Sequence, residues 1–373
     1  MTLPKYILSA ILLIGLLSTA ALPAFAYSVQ KEYYYRGIIL EVEDNPSADG
    51  GLVQQLKVKL TSGPFEGEVV DILNYYQPEQ SFYDFKVREG MRVILVSFEE
   101  GETLGEVYLH DLARDRGVFY MVGLFVLLLL AVGRMQGLKT LVSLIVTVLF
   151  VTMFLLPNLL AGHNPIILAV ITAIVVIVFT LIVTTGLSYK TLAAIIGTIS
   201  GVLVSGVLAF WAGGVSHLTG FSTHESQLLY FLTDQVIDLR GLLFAGIIIG
   251  SLGAITDTGI TVASAAAEVK LAKPGISSRD LIASCMNVGR DALGTMSNTL
   301  ILAYAGAATP MLLLMTSFHQ GSWLKIINLD LVATELVRGM AGSIGLVVAV
   351  PVTAVLSGYF MGKKSIGRSK PVG

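Results

Sequence analysis

Between residues 118 and 361 the chain is a succession of long apolar runs almost free of charge, and few folds can bury that much hydrocarbon. The runs are 118–133, 138–157, 165–186, 191–213, 240–266, 293–316 and 332–361. Each reaches, or nearly reaches, the ~20 residues that a helix needs to cross ~30 Å of hydrocarbon. The expectation is a mainly α membrane protein whose residues 117–373 form a bundle of seven transmembrane helices in the lipid bilayer. Composition agrees with it. Apolar residues make up 54% of the chain and charged residues 13%, against roughly 25% charged in a soluble domain. A mean hydropathy of +0.77 argues against a cytoplasmic enzyme, a disordered chain or a nucleic-acid binder.

The first 26 residues follow a different pattern. Lys5 precedes an apolar stretch from Tyr6 to about Leu17, and Pro23-Ala24-Phe25-Ala26 closes it with the small-x-small signature of a signal-peptidase site. A cleaved signal peptide and an uncleaved anchor helix both put Tyr27 outside the cytoplasm. The formal net charge of −2 hides a division: residues 27–116 hold 17 acidic and 9 basic side chains, the rest of the chain 9 and 15. Strand-like runs at 33–43, 52–60, 68–74, 91–98 and 106–109 are separated by Gly, Pro and Asp clusters. They predict a small extracytoplasmic β-rich domain over 27–116, an OB- or SH3-like barrel or a two-layer sandwich. Tyr33, Tyr34, Tyr35, Tyr75 and Tyr76 either form an aromatic binding face or simply suit half-buried strands. The acidity of this domain should repel nucleic acid. Cys285 is the single cysteine, so an intrachain disulfide and a Cys-based zinc site are both excluded.

Basic residues orient the bundle. With residues 27–116 outside, the inner connections and the tail carry Arg134, Lys139, Lys190, Lys270, Lys273, Arg279, Arg290, Lys363, Lys364, Arg368 and Lys370. The outer connections carry only Arg240, Lys325 and Arg338. This bias predicts a multi-pass protein of the cell membrane with a cytoplasmic C-terminus. Arg240, Glu335 and Arg338 then sit at the outer edge, as anchors or mutual ion pairs.

The run 240–266 differs from the others. Gly246, Gly250, Gly253, Asp257, Thr261, Ser264 and Glu268 recur at intervals of three and four, which places them on one helix face. The glycines predict close helix packing. Asp257 lies near mid-span, where a charge costs about 2.5–3.5 kcal/mol even on the lenient insertion scale. It must face protein or water, and a carboxyl there is suited to gaining and losing a proton. The alternative is a hydrogen-bonded packing residue. In the next run Asn287, Asp291, Gly294, Asn298 and Ala305 share a face, with Thr295 nearby, and Asn298 is deep enough to reach Asp257 if the helices pack. Between the two, a cationic connection includes an amphipathic helix from about Ser278, with Ser277, Ser278 and Asp280 as its cap region. His217, His224 and Glu225 fall in a long outer loop and make a weak metal signal. Catalytic-triad, phosphate-loop and zinc-protease patterns do not occur, and no cofactor or enzyme activity is expected.

The block GSLGAITDTGITVASAAAEV, followed by DLIASCMNVGRDALGTMSNTLILAYAGAATP, together with the layout of hydrophobic segment, β-rich module and bundle, resembles the YibE/F family of bacterial membrane proteins. That resemblance implies a multi-pass membrane protein and brings no reaction with it. More distantly, the stretch from Gly253 to Glu268 and then Asn287 to Leu302 looks like the central helices of SecF and of RND-type permeases. There Asp257 would match a proton-relay carboxylate and Thr258 the residue after it. Gly294 stands where SecF has an arginine, and seven helices exceed the usual five.

Two functions remain open. One is a transporter or permease component, with Asp257, Thr258, Thr261, Thr295 and Asn298 along a proton or solute path and Gly246, Gly250, Gly253 and Gly294 packing helices. The other is a receptor or assembly factor whose outer domain binds an envelope ligand. Partners expected are lipid and a transported solute or envelope ligand, with homo- or hetero-oligomers possible and nucleic acid excluded.

Overall fold

The computed structural model describes residues 32–46, 52–76, 85–98, 104–232, 237–318 and 322–362. The expected signal or anchor segment and the basic C-terminal tail lie outside these residues. The chain divides into two compact units, with the boundary between residues 131 and 132.

The first unit is built on β1 (Tyr33–Pro46), β2 (Leu52–Leu60), β3 (Val69–Tyr76), β4 (Arg92–Ser97) and β5 (Val107–Leu112). The strands form one antiparallel sheet in the order β3-β2-β1-β4-β5. Period-two alternation sends Tyr35, Ile39, Leu56, Val58, Leu60, Val93 and Leu95 to one buried side. Glycine is required at position 37, where a Cβ would come 2.5 Å from Val58 Cγ1. The edge strands β3 and β5 approach each other but share no ladder. The result is a half-barrel, where the sequence predicted a barrel or a sandwich. Adjacent strand residues point to opposite faces, so the tyrosines do not form one aromatic face. Tyr35 is buried in the core and Tyr34 and Tyr75 are exposed.

One buried amide ties a connection to this sheet. Gln54, fully buried, donates to Asp44 Oδ1 (2.8 Å) and Val87 O (3.1 Å). Its Oε1 accepts from Val87 N (2.9 Å) and Asn74 Nδ2 (3.0 Å). Replacing Gln54 by Leu keeps the volume but leaves these groups unmatched, and should destabilise the unit by about 2–4 kcal/mol. Hydrogen exchange across β2 and β3 of the full chain measures that loss. Lys86 Nζ, 2.5 Å from Asp44 Oδ2, and Gln54 hold the Asp44 carboxyl below the ordinary carboxylate value of 3.8. A folded-state value that is depressed means stability present above the ordinary value and lost as pH falls through the lower one. Thermal unfolding of wild type and Asp44→Asn should therefore converge as pH is lowered from about 6 to about 3.

The second unit is helical. α1 (Asp115–Phe150) begins in the first unit and breaks at Arg134, which has φ 46° and ψ −126°. It continues through a π turn over Val151–Leu155 into α2 (Leu156–Leu160). The π turn precedes Pro157, which has no N–H to return to the carbonyl of Met153. α3 (Pro165–Thr185) starts at Asn164, whose side chain accepts from the N–H of Ile166 and Ile167. α4 (Tyr189–Val215) starts at Ser188, which accepts from Thr191 N. After the short α5 (His224–Leu232), α6 (Leu239–Ala272) is capped by Asp238 on Gly241 N at 2.8 Å. α7 (Ser278–Ala307), α8 (Thr309–Phe318), α9 (Trp323–Ile327) and α10 (Asp330–Gly362) complete the unit.

Among the described residues, five helical stretches are long and apolar enough to cross a membrane: 115–160, 165–185, 189–215, 239–272 and 330–362. The sequence count of seven is not confirmed. Runs 118–133 and 138–157 fall in one continuous stretch made of two helices that join across the kink at Arg134. Run 293–316 is divided at Ala308 between α7 and α8, and α7 carries Arg279, Asp280, Arg290 and Asp291. The expected connector helix is the first part of α7 itself, with Ser277 Oγ accepting from Asp280 N at 3.1 Å.

α6 occupies the centre, packed by α3, α4, α7 and α10. The tightest crossing joins α4 to α10. A Cβ on Gly201 would lie 2.6 Å from the carbonyl oxygen of Gly345, and one on Gly345 would lie 2.5 Å from that of Gly201. Each backbone presses on the other, so no side chain can move aside. Gly345→Ala should cost about 2 kcal/mol or more and lower the yield of folded, monodisperse protein. Size-exclusion profiles and thermal unfolding in detergent test this.

Candidate functional site

α6 is buried around most of its circumference. Leu243, Ile247, Ile248, Ser251, Leu252, Ile255, Val262 and Ala263 pack into the bundle. Between Gly241 and Lys270 the exposed residues are Gly246, Gly250, Gly253, Asp257, Thr261 and Glu268, with Ser264 half-buried. The polar stripe expected from the sequence is therefore real as a face, but it is the open face of the helix and not its packed one. Large aliphatic side chains bury more apolar area than glycines do, and they took the positions against α3, α4 and α10.

The stripe residues differ in surroundings. Among the described residues nothing lies within 4 Å of a Cβ built on Gly246 or Gly253, and the same holds for Gly294 in α7. These three do not pack helices together here. Gly250 does accommodate a neighbour: its Cβ would be 2.7 Å from Tyr304 Oη. Asp257 sits about 27 Å from the start of a helix about 51 Å long, close to its midpoint. Its side chain has no hydrogen bond or ion pair among the described residues, and its carbonyl accepts from Thr261 Oγ1 at 2.7 Å. Thr258 points into the bundle, buried, and donates to Ala254 O at 2.9 Å.

The expected meeting of Asp257 and Asn298 does not occur. α7 packs through Leu281, Cys285, Gly289 and Leu300, with Leu293 and Met296 half-buried against the core. Gly294, Thr295 and Asn298 are exposed, and Thr295 Oγ1 donates to its own helix at Ala292 O. Asn298 lies two residues from Met296 and two from Leu300, which turns it to the side of α7 away from the packed seam.

At the end of the stripe towards Gly246, the structure adds residues that were not assigned to the site from sequence. Arg338 of α10 lies over the Tyr304 ring, 5.9 Å from its centroid, and pairs with Glu335 at 3.5 Å. Arg338 Nε and Tyr304 Oη are buried with no hydrogen-bond partner among the described residues. A pocket of about 240 Å³ opens here, lined by Ser222, Thr223, Glu225, Leu242, Gly246 and Arg338 among others. A second, of about 110 Å³, is lined by Tyr304, Glu335 and apolar side chains of α7, α8 and α10. The signal for Arg338 was present in sequence, as an ionisable residue inside an apolar run. Tyr304 gave none. Arg240, grouped with Arg338 from sequence, lies instead over Phe244 at 5.7 Å.

The glycines make this face testable. Gly253→Ala should be neutral or stabilising by up to about 1 kcal/mol, because alanine is the better helix former and meets nothing. Gly250→Ala should destabilise by displacing Tyr304. Thermal unfolding of the two variants in detergent separates them, and equal losses would contradict the open face.

The family described as YibE/F-like protein matches residues 121–363. Neither the curated proteins nor the solved structures give a match to this chain.

Proposed function

The chain belongs to the YibE/F-like family, and on that premise we propose that this integral membrane protein is a permease or permease component whose path follows the open face of α6. The observation that carries the reading is Asp257: a carboxyl without a partner among the described residues, on the open face of an otherwise largely buried helix, between Arg240 and Lys270 at the helix ends. A helix that served only as an anchor would have no use for an ionisable group there, where the charge costs about 2.5–3.5 kcal/mol. A carboxyl in a groove that alternates between water and protein exchanges a proton, and that exchange couples solute movement to proton movement. Thr261 lies one turn away on the same face and is the nearest stripe hydroxyl. The distribution of basic residues supports residues 27–116 outside and the C-terminus inside.

The second reading is a receptor or assembly factor. It draws support from the exposed ring pair of Tyr34 and His110, 5.1 Å apart, on the half-barrel. Seven-fold or five-fold spanning is more than an anchor requires, and transport accounts for the groove as well.

The test is infrared difference spectroscopy of wild type against Asp257→Asn. A protonated-carboxyl stretch that titrates in the wild type and is missing in the variant is expected. If no such band is present between about pH 5 and pH 8, Asp257 does not exchange a proton and the coupling mechanism fails.

A further inference from the structure

We propose that two copies of this chain associate in the membrane through the open faces of α6 and α7, with α7 of each copy lying antiparallel along α6 of the other. This interface goes beyond the permease reading and does not depend on it.

Spacing is the first observation. Along α6, Gly250, Asp257, Thr261, Ser264 and Glu268 are separated by intervals of seven, four, three and four. Read backwards along α7, Ala305, Asn298, Gly294, Asp291 and Asn287 are separated by the same four intervals. Each set runs down one helix face, and every member is exposed except Ser264, which is half-buried. Laid antiparallel, the two faces bring all five positions level at once. The chemistry then matches position by position. Gly250 opposes Ala305, Asp257 opposes Asn298, Thr261 opposes Gly294, Ser264 opposes Asp291 and Glu268 opposes Asn287. Each carboxylate meets a neutral amide or hydroxyl able to donate to it, and none meets another carboxylate. Arg290 Nη1 donates to Asn287 Oδ1 at 3.0 Å, which leaves the Asn287 amide nitrogen as the group to face Glu268.

Within one chain these pairs do not form, because α7 turns its other side, with Leu281, Cys285, Gly289 and Leu300, to the bundle. The heights are nevertheless right. A Cβ on Gly250 would lie 2.7 Å from Tyr304 Oη, and one on Gly289 would lie 3.4 Å from Val262 Cγ2. α6 and α7 of one chain therefore run antiparallel with Asp257 and Asn298 level to within about 6 Å. A two-fold axis along the membrane normal keeps every residue at its height, so it brings α7 of the second copy to the level of the α6 stripe. Such an interface is isologous, and each pairing occurs twice. A second copy is favoured over a different protein because this chain carries both halves of the match. Lipid is disfavoured because hydrocarbon offers no hydrogen bond to Asp257 or Asn298.

The experiment uses the full chain. Native mass spectrometry from detergent is expected to show two copies. Gly294→Leu, at a position where a Cβ meets nothing within 4 Å in its own chain, should keep its helical circular dichroism and raise the dimer dissociation constant about tenfold or more. Because Cys285 is buried, thiols added at the interface are the ones that oxidise. Thr261→Cys in one tagged copy and Gly294→Cys in a differently tagged copy, co-expressed and oxidised in membranes with copper phenanthroline, should give a covalent dimer carrying both tags. Shifting the second thiol by seven residues, about 10 Å along the helix, with Asn287→Cys should lower that yield at least about fivefold. A wild type that is monomeric at every concentration, or equal yields from the level and the shifted pair, overturns the proposal. The crosslink needs no bulky substitution, so it stands even where Gly294→Leu does not fold.

Discussion

The contact on which the helical unit depends is the crossing of α4 and α10 at Gly201 and Gly345. In hydrocarbon there is little hydrophobic force between helices, because lipid tails are as apolar as leucine; close packing and short polar contacts supply the attraction. At this crossing each helix presents a Cα to the carbonyl oxygen of the other, near enough that a methyl group would overlap it. Small residues continue along both helices, with Gly197 against Thr353 and Gly345 against Ser205. α6 rests on this pair through Ile255, which meets both Gly201 and Gly345, and through Ser251, close to Gly342. Once α4 and α10 are joined, the aliphatic side of α6 has a place to go, and its glycine and aspartate side is what remains outside.

Polar atoms inside the unit follow the same economy. Ser205 and Ser251 are linked at 3.4 Å, Thr256 and Thr258 donate back to their own helix, and the hydroxyls of Thr198, Ser343, Thr353 and Ser357 are buried with no hydrogen-bond partner among the described residues. Individually such contacts in membranes contribute on average about 0.6 kcal/mol. Their value here is steric: a hydroxyl or a hydrogen in place of a branched side chain is what lets the backbones meet. Lys270 is the one basic side chain buried among the described residues, and its Nζ donates to Gly362 O at 3.3 Å. It therefore ties the end of α6 to the end of α10, where a cation is favoured by the helix dipole.

Much of this was legible in the residues. The five strands, the cap at Ser277 and the face formed by Gly246, Gly250, Gly253, Asp257 and Thr261 all follow from short-range periodicity, which is a property of a single segment. What periodicity does not contain is the neighbour. A stripe of small residues reads as a packing surface whether or not another helix covers it. Here the covering stripes were the less conspicuous ones on α4 and α10, where Gly, Ser and Thr recur at three and four residues inside very apolar runs. The helix count is left open for a related reason: hydropathy does not show that two apolar runs join end to end across a kink at Arg134, or that a third is divided at Ala308. Arg338 and Tyr304 are brought together by tertiary packing alone, being on different helices.

The open stripe then has an energetic consequence. Gly246 and Gly253 leave open space above the helix backbone on the face that carries Asp257, while at Gly250 that space is taken by Tyr304 Oη. Lipid is a poor occupant, because it would face the carboxyl with no hydrogen-bond donor at a depth where a charge costs about 2.5–3.5 kcal/mol. Water or a polar solute supplies those donors. At the Gly246 end lies a pocket of about 240 Å³ whose wall includes Glu225, Thr223 and Arg338, some 16 Å along the helix from Asp257. Between the two, Tyr304 Oη above Gly250 is a single hydroxyl donor in an otherwise apolar stretch. On the permease reading proposed above, a solute moving between that pocket and Asp257 would pass this hydroxyl.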